Sequence, residues 1–216
     1  MTNQISYSVI IKNKPFFIGF LLWIIVMAVL QIVSTQTELI FWVNRHFSDQ
    51  LDTFFVLATQ LGEDGLYVPV LIYLGFKKRH LVMPFIIMWI LKVIISLVLK
   101  PLFNAPRPMT VYADSGLDIH LVGGKIHTWQ SFPSGHTMTA FALALFLSIL
   151  IRNKFWGVLL LILAILVAYS RVYLFQHFPK DVFAGSIFGV FAVLIAFPID
   201  FLRIKWLTLR TQNRKS

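Results

Sequence analysis

The chain has 216 residues, 58% of them hydrophobic and 13% charged, with a net charge of +10. The charged share is about half of the roughly 25% usual for soluble domains, which excludes an aqueous fold, since so much apolar surface would have nowhere to hide. No cysteine is present, so disulfide and thiol chemistry are excluded as well.

Apolar runs near the ~20 residues that cross a bilayer fall at 15–33, 81–99, 134–151, 155–174 and 182–202. The first follows a basic start but is long and lacks a small-residue cleavage pattern at its end (QIVSTQTE), so it reads as a permanent helix, not a signal peptide. Leu51 to Leu61 (LDTFFVLATQL) carries apolar residues at 51, 54, 55, 57, 58 and 61, the pattern of a short helix in the membrane interface; the alternative is a plain connecting loop. Leu66 to Phe76 is apolar but short, and counts as a sixth span if it extends through Gly65 and Asp64 or into Lys77. Lys92 is the one charge deep in a span and is expected to be an interior residue paired with an oxygen. Between the third and fourth of the six spans lies a long connection, Lys100 to Phe132, rich in Pro, Gly, Asp and His. A bilayer offers no partners to irregular backbone, so this segment is expected to cap one face of the bundle. The expected architecture is one all-α domain over residues 1–216: six transmembrane helices, a short interfacial helix and an outer loop over the site.

The basic residues mark the turns between spans. Lys12 and Lys14, then Lys77, Lys78 and Arg79, then Arg152 and Lys154, then Arg203, Lys205, Arg210, Arg214 and Lys215 fall on alternate helix ends. By the positive-inside rule these ends, and both termini, are cytoplasmic. Arg45, Lys100, Arg107, Lys125, Arg171 and Lys180 mark the outer ends, where eight acidic residues also lie (Glu38, Asp49, Asp52, Glu63, Asp64, Asp114, Asp118 and Asp181). Charge spread over turns in this way is a topology signal and gives no reason to expect a nucleic-acid partner.

Three polar clusters share that outer face: Lys100 to Pro108 (KPLFNAPRP), Ser131 to Thr137 (SFPSGHT) and Ser170 to Asp181 (SRVYLFQHFPKD). Lys100, Arg107 and Arg171 converge there as three cations, which calls for an anion. Phosphate fits, because Arg offers planar bidentate donors and Lys a compact charge. Ser134, Gly135 and His136 stand where the fourth span begins; a helix N-terminus presents unpaired amides to an anion, Ser134 adds a hydroxyl, and Gly135 lets the backbone come close. His136 would then reach a leaving group. His177 and Asp181 are spaced i, i+4, so the carboxylate can hold one imidazole nitrogen and leave the other as a nucleophile. His46, His80, His120 and His127 read as solvated.

Lys100-x6-Arg107-Pro108, Pro133-Ser134-Gly135-His136 and Ser170-Arg171-x5-His177-x3-Asp181 together resemble the tripartite signature of the type 2 phosphatidic acid phosphatase (PAP2) superfamily, with no departure from its spacing. The resemblance implies an integral membrane phosphatase acting through a phosphohistidine. In it His177 attacks phosphorus, Asp181 orients His177, and His136 protonates the leaving oxygen and then activates water. Lys100, Arg107, Arg171, Ser134 and the Gly135 amide hold the phosphoryl group, and no metal or cofactor is needed. The expected substrate is a lipid phosphate of the phosphatidic acid, phosphatidylglycerophosphate, undecaprenyl diphosphate or lipid A type. The expected location is a bacterial inner membrane with the site on its periplasmic or extracellular side.

Other readings are weaker. Soluble vanadate haloperoxidases share the superfamily but not the spans, and a lipid phosphotransferase would share the site. A transporter would make Lys92 a pathway residue, and a catalytically dead scaffold would not need every signature residue. A serine protease using Ser134 and His136 would leave the three cations without a task.

Overall fold

The computed structural model describes residues 12–122, 127–151 and 153–213. Lys125, Arg152, Arg214 and Lys215, part of the charge pattern above, lie outside the described residues. All regular elements among the described residues are helical.

Helix α1 (Lys14–Val33) begins on Pro15, whose missing N–H costs nothing in a first turn. It leaves Ile18, Leu21, Leu22, Ile25, Val29 and Ile32 exposed, an apolar flank that only a bilayer covers. A capping box of Thr35 and Glu38 then starts α2 (Gln36–Asn44), a helix that the hydropathy pattern does not announce. Helix α3 (Asp49–Thr59), capped by Ser48, runs into two 3₁₀ turns, Gln60–Gly62 and Asp64–Leu66, and then α4 (Tyr67–Lys77). Glu63 between the turns is extended, and the two halves meet at a 51° bend. The segments expected as an interfacial helix and a short sixth span are therefore halves of one bent run.

Helix α5 (Val82–Phe103) passes the expected end of the third span and stops at Asn104 in the left-handed region, so Lys100 is helical. A short helix, α6 (Pro108–Tyr112), lies within the outer loop. Helices α7 (Gly135–Leu150), α8 (Phe155–Tyr173) and α9 (Pro179–Asn213) complete the bundle. Among the described residues four helical stretches are long and apolar enough to cross a membrane: Lys14–Val33, Arg79–Tyr112, Phe155–Tyr173 and Pro179–Arg210. The bent pair makes a fifth if taken as one span. The run 134–151, expected as a full crossing, forms a helix of only 16 residues, about 24 Å at 1.5 Å per residue.

That short helix is the centre of the molecule. Met138, Phe141, Leu145 and Phe146 on α7 are fully buried, with α8 and α9 packed against it. A largely apolar helix is stable when neighbours surround it, so the apolar residues of α7 are buried against other helices. Close approach replaces the hydrophobic drive that lipid cannot supply: a Cβ on Gly189 would stand 2.5 Å from the Met138 carbonyl oxygen.

The outer loop is fastened down at both ends. Arg107 N–H donates to Thr128 O (2.8 Å) and Ser131 N–H to Ala105 O (3.0 Å). The Tyr112 ring packs edge-on against Phe41 and near Phe175 and Phe178. His120, expected to be solvated, instead clamps the loop. Asn44 bonds both its carbonyl (2.7 Å) and its amide (3.0 Å), its ring stacks on Phe47, and Nε2 meets Asp52 at 2.9 Å. Sequence spacing gave no sign of this, because the partners lie some seventy residues away.

Candidate active site

His177 sits in the turn between α8 and α9, and Asp181 in the first turn of α9, which starts at Pro179. Both are almost fully buried. His177 Nδ1 lies 3.5 Å from Asp181 Oδ2. The same oxygen accepts the Ser131 hydroxyl (2.5 Å) and the Phe178 amide (2.9 Å), and Ser131 Oγ stands 3.4 Å from His177 Nδ1. Ser131 thus bridges the loop to the His–Asp pair and holds the carboxylate in line. Burial pulls the His177 pKa down to about 3; the charges of Arg107 and Arg171 push the same way and Asp181 opposes them. The ring is neutral at physiological pH, with Nδ1 turned to the carboxylate and Nε2 left over.

Arg107, at the start of α6, is held by the Trp129 carbonyl (3.2 Å) and by Gln176, through its carbonyl (3.3 Å) and its side-chain oxygen (3.1 Å). Arg171, in the last turn of α8, gives Nη1 to Thr59 Oγ1 at 2.8 Å. Its Nε is buried and has no hydrogen-bond partner among the described residues, and the same is true of Asp181 Oδ1. A buried guanidinium N–H without a partner is a donor that a bound anion would satisfy. Arg107 and Arg171 are near enough to act on each other's charge, and both act on Lys100.

Helix α7 starts at Ser134, whose hydroxyl accepts from the Thr137 Oγ1 (2.9 Å) and the Thr137 amide (3.5 Å). Its own hydrogen stays available as a donor. The next amides, of Gly135 and His136, are those that a helix leaves unpaired at its N-terminus. Lys100 Nζ is 3.9 Å from where a Cβ on Gly135 would sit, which brings the end of α5 to the same spot. Ser134 N–H donates to the Asp181 carbonyl (3.1 Å), fixing α7 against α9. The eight residues singled out by spacing therefore share one neighbourhood.

Beside them opens a cavity of about 530 Å³, lined by Gly62, Glu63 and Asp64 of the bend, by Lys92, Ser96, Leu97 and Lys100 of α5, and by Gly135 and His136. A second cavity of about 480 Å³ between α1, α2, α8 and α9 is apolar and contains none of the signature residues. Four partners escaped sequence reasoning. Glu63 meets His136 Nε2 at 2.9 Å, Asp64 binds Lys92 Nζ at 2.5 Å, Thr59 holds Arg171, and Gln176 holds Arg107. The only available signal was that Glu63 and Asp64 are acids at the edge of an apolar stretch. Lys92 is paired with an oxygen, as expected of it, and the partner is the Asp64 carboxylate.

The PAP2 superfamily model matches residues 81–205. The chain is 33% identical over 93 residues to a lipid A 4'-phosphatase of Bacteroides thetaiotaomicron, a match covering 43% of this chain and 41% of that protein. It is 28% identical to an undecaprenyl-diphosphatase of Sulfolobus acidocaldarius, over 79% of this chain and 81% of the relative. Among solved structures, Aquifex aeolicus LpxE superposes with a TM-score of 0.65 at 32% identity, covering 74% of this chain and 93% of LpxE. The chain belongs to the PAP2 superfamily and is an integral membrane protein of this lipid phosphatase class.

Proposed function

We propose that the protein hydrolyses a lipid phosphate or diphosphate monoester through a phosphohistidine, at the outer face of a bacterial inner membrane that it crosses six times, with α3–α4 and α7 as the two irregular crossings and both termini cytoplasmic. His177 Nε2 attacks phosphorus; the P–O bond to the lipid breaks, and its electron pair leaves on that oxygen. His136 gives the oxygen a proton, releasing the lipid alcohol, or the lipid monophosphate from a diphosphate. Water then attacks the phosphohistidine and passes its proton to His136; the P–N bond breaks, returning neutral His177 and inorganic phosphate. Lys100, Arg107, Arg171, the Ser134 hydroxyl and the first amides of α7 hold the equatorial oxygens as charge spreads over them. The observation that carries this reading is the buried His177, backed by Asp181 and Ser131, with the unpartnered Arg171 Nε in the same neighbourhood.

The cavity beside His136 supports a position for the leaving group: its polar floor suits the headgroup end of a lipid, and Val93 and Leu97 continue it along an apolar wall. The names of the relatives divide between lipid A and undecaprenyl diphosphate, and both belong in the assay. Protein purified in detergent with EDTA present is expected to release phosphate from at least one of phosphatidic acid, phosphatidylglycerophosphate, undecaprenyl diphosphate or lipid A. Release from none of them would sink the proposal.

A further inference from the structure

The segment that faces His136, Thr59 to Asp64, lies outside the residues that match the family model. Three observations nonetheless build it into the site. Glu63 Oε1 stands 2.9 Å from His136 Nε2. A Cβ on Gly62 would fall 2.9 Å from both the Cβ and the carbonyl oxygen of His136 and 2.7 Å from Val167 Cγ1, so the turn lies against the start of α7 only because residue 62 has no side chain. The turn is also anchored from below: Asp64 accepts from Lys92 Nζ of α5 and, at 2.6 Å, from Thr139 Oγ1 of α7, while Thr59 carries Arg171.

We propose that Thr59–Asp64 is a fourth element of the active site and that Glu63 is the positioning residue for His136. The proposal rests on the role given to His136 above. Glu63 does no packing that would otherwise explain its place: its side chain is 60% exposed. What it offers is a carboxylate for one imidazole nitrogen, the part Asp181 plays for His177. With Nε2–H directed at Glu63, the imidazolium form of His136 carries its transferable proton on Nδ1. As the P–O bond breaks, that proton goes to the departing oxygen, and the ring is left neutral with Nε2–H still on Glu63. The Nδ1 lone pair then takes the proton of the attacking water, and the ring returns to its starting form.

In the first half-reaction, the part that kcat/KM reports, a group that serves proton transfer matters only where the leaving oxygen needs the proton; activation of water in the second is common to every substrate. The diacylglycerol of dioctanoyl phosphatidic acid would depart as an alkoxide and needs the proton; p-nitrophenyl phosphate releases a stabilised phenolate and does not. Glu63→Gln is expected to lower kcat/KM on the lipid about 10- to 100-fold and on the aryl ester by less than about threefold. Inhibition by orthovanadate, which needs the anion site but no leaving group, is expected to stay as in the wild type, and Glu63→Asp to recover part of the lipid activity. Equal loss of kcat/KM on both esters, an undiminished kcat/KM on the lipid, or lost vanadate inhibition in Glu63→Gln would each overturn the proposal. His136→Ala separates the two layers. If its kcat/KM falls equally on both esters, the role of His136 as acid is wrong; if it spares kcat/KM on the aryl ester while Glu63→Gln leaves kcat/KM on the lipid intact, only the inference about Glu63 fails.

Discussion

Two histidine–carboxylate pairs flank the start of α7, and they are built in opposite ways. His177 and Asp181 are 2% and 0% exposed in their side chains, four residues apart in sequence, and locked by Ser131 and the Phe178 amide. His136 and Glu63 are 26% and 60% exposed, and seventy-three residues separate them. A nucleophile profits from a dry, fixed place, where water does not compete for phosphorus and the attacking nitrogen stays unprotonated. A proton donor that must also meet water needs an open side. The buried pair comes from one turn of one helix start; the open pair needs the bend of a second segment to reach it.

Breaking the buried pair gives the largest effect. His177→Ala is expected to lower phosphate release by at least about 10⁴-fold on lipid and aryl esters alike, since loss of a nucleophile spares no leaving group. Activity within tenfold of the wild type would remove His177 from the nucleophilic role. The anchor of the open pair is tested by stability. Asp64→Ala leaves Lys92, only 5% exposed, charged and unpaired, at a cost of about 3–5 kcal/mol. Lys92→Met leaves Asp64 half in the open, where water can serve it, and is expected to cost clearly less; thermal unfolding in one detergent ranks the two, and the reverse order would show that Asp64 is not what Lys92 depends on. Ser131→Ala removes one of two donors to Asp181 Oδ2 and is expected to lower kcat about tenfold with little change in KM, the size of a lost hydrogen bond to a charged group.

The smallest effect is in pH. The folded pKa of His177, held to about 3 by burial, lies below the unfolded value near 6.5, so between them the unfolded chain binds the extra proton. The His177 contribution to stability is therefore full above about pH 6.5 and is lost progressively as pH falls toward 3. The fall in Tm from pH 7 to pH 5 is expected to be shallower in His177→Gln than in the wild type; equal slopes would show that the ring is not kept neutral by burial.

The apolar runs made the long helices legible, because 3.6-residue geometry turns a run of about 20 apolar residues into a bilayer crossing with few alternatives. They failed where the helix is irregular. The bend at Glu63 reads as two separate weak elements, since neither half reaches spanning length alone, and the run 134–151 reads as a longer helix than the 16 residues of α7. Helix α2 went unread, because hydropathy does not mark it; its capping box shows in the structure. In the site, the i, i+4 pair and the three clusters were readable because each is a local spacing. Glu63 with His136, Thr59 with Arg171 and His120 with Asp52 were not, because nothing local links residues that meet only after the bundle closes.

Sequence alone determined the chemistry proposed here: three cations, a helix N-terminus and a His–Asp pair on one predicted face call for a phosphate, since residue type and spacing along one helix or turn fix which groups can act together. Tertiary structure decided which groups support that chemistry. It bent α3 against α4 at Glu63, set the glycine turn against His136, and pinned the bend through a buried lysine. Those placements depend on packing between helices, where a few ångströms of approach, permitted by a missing side chain or enforced by a buried charge, choose the neighbour.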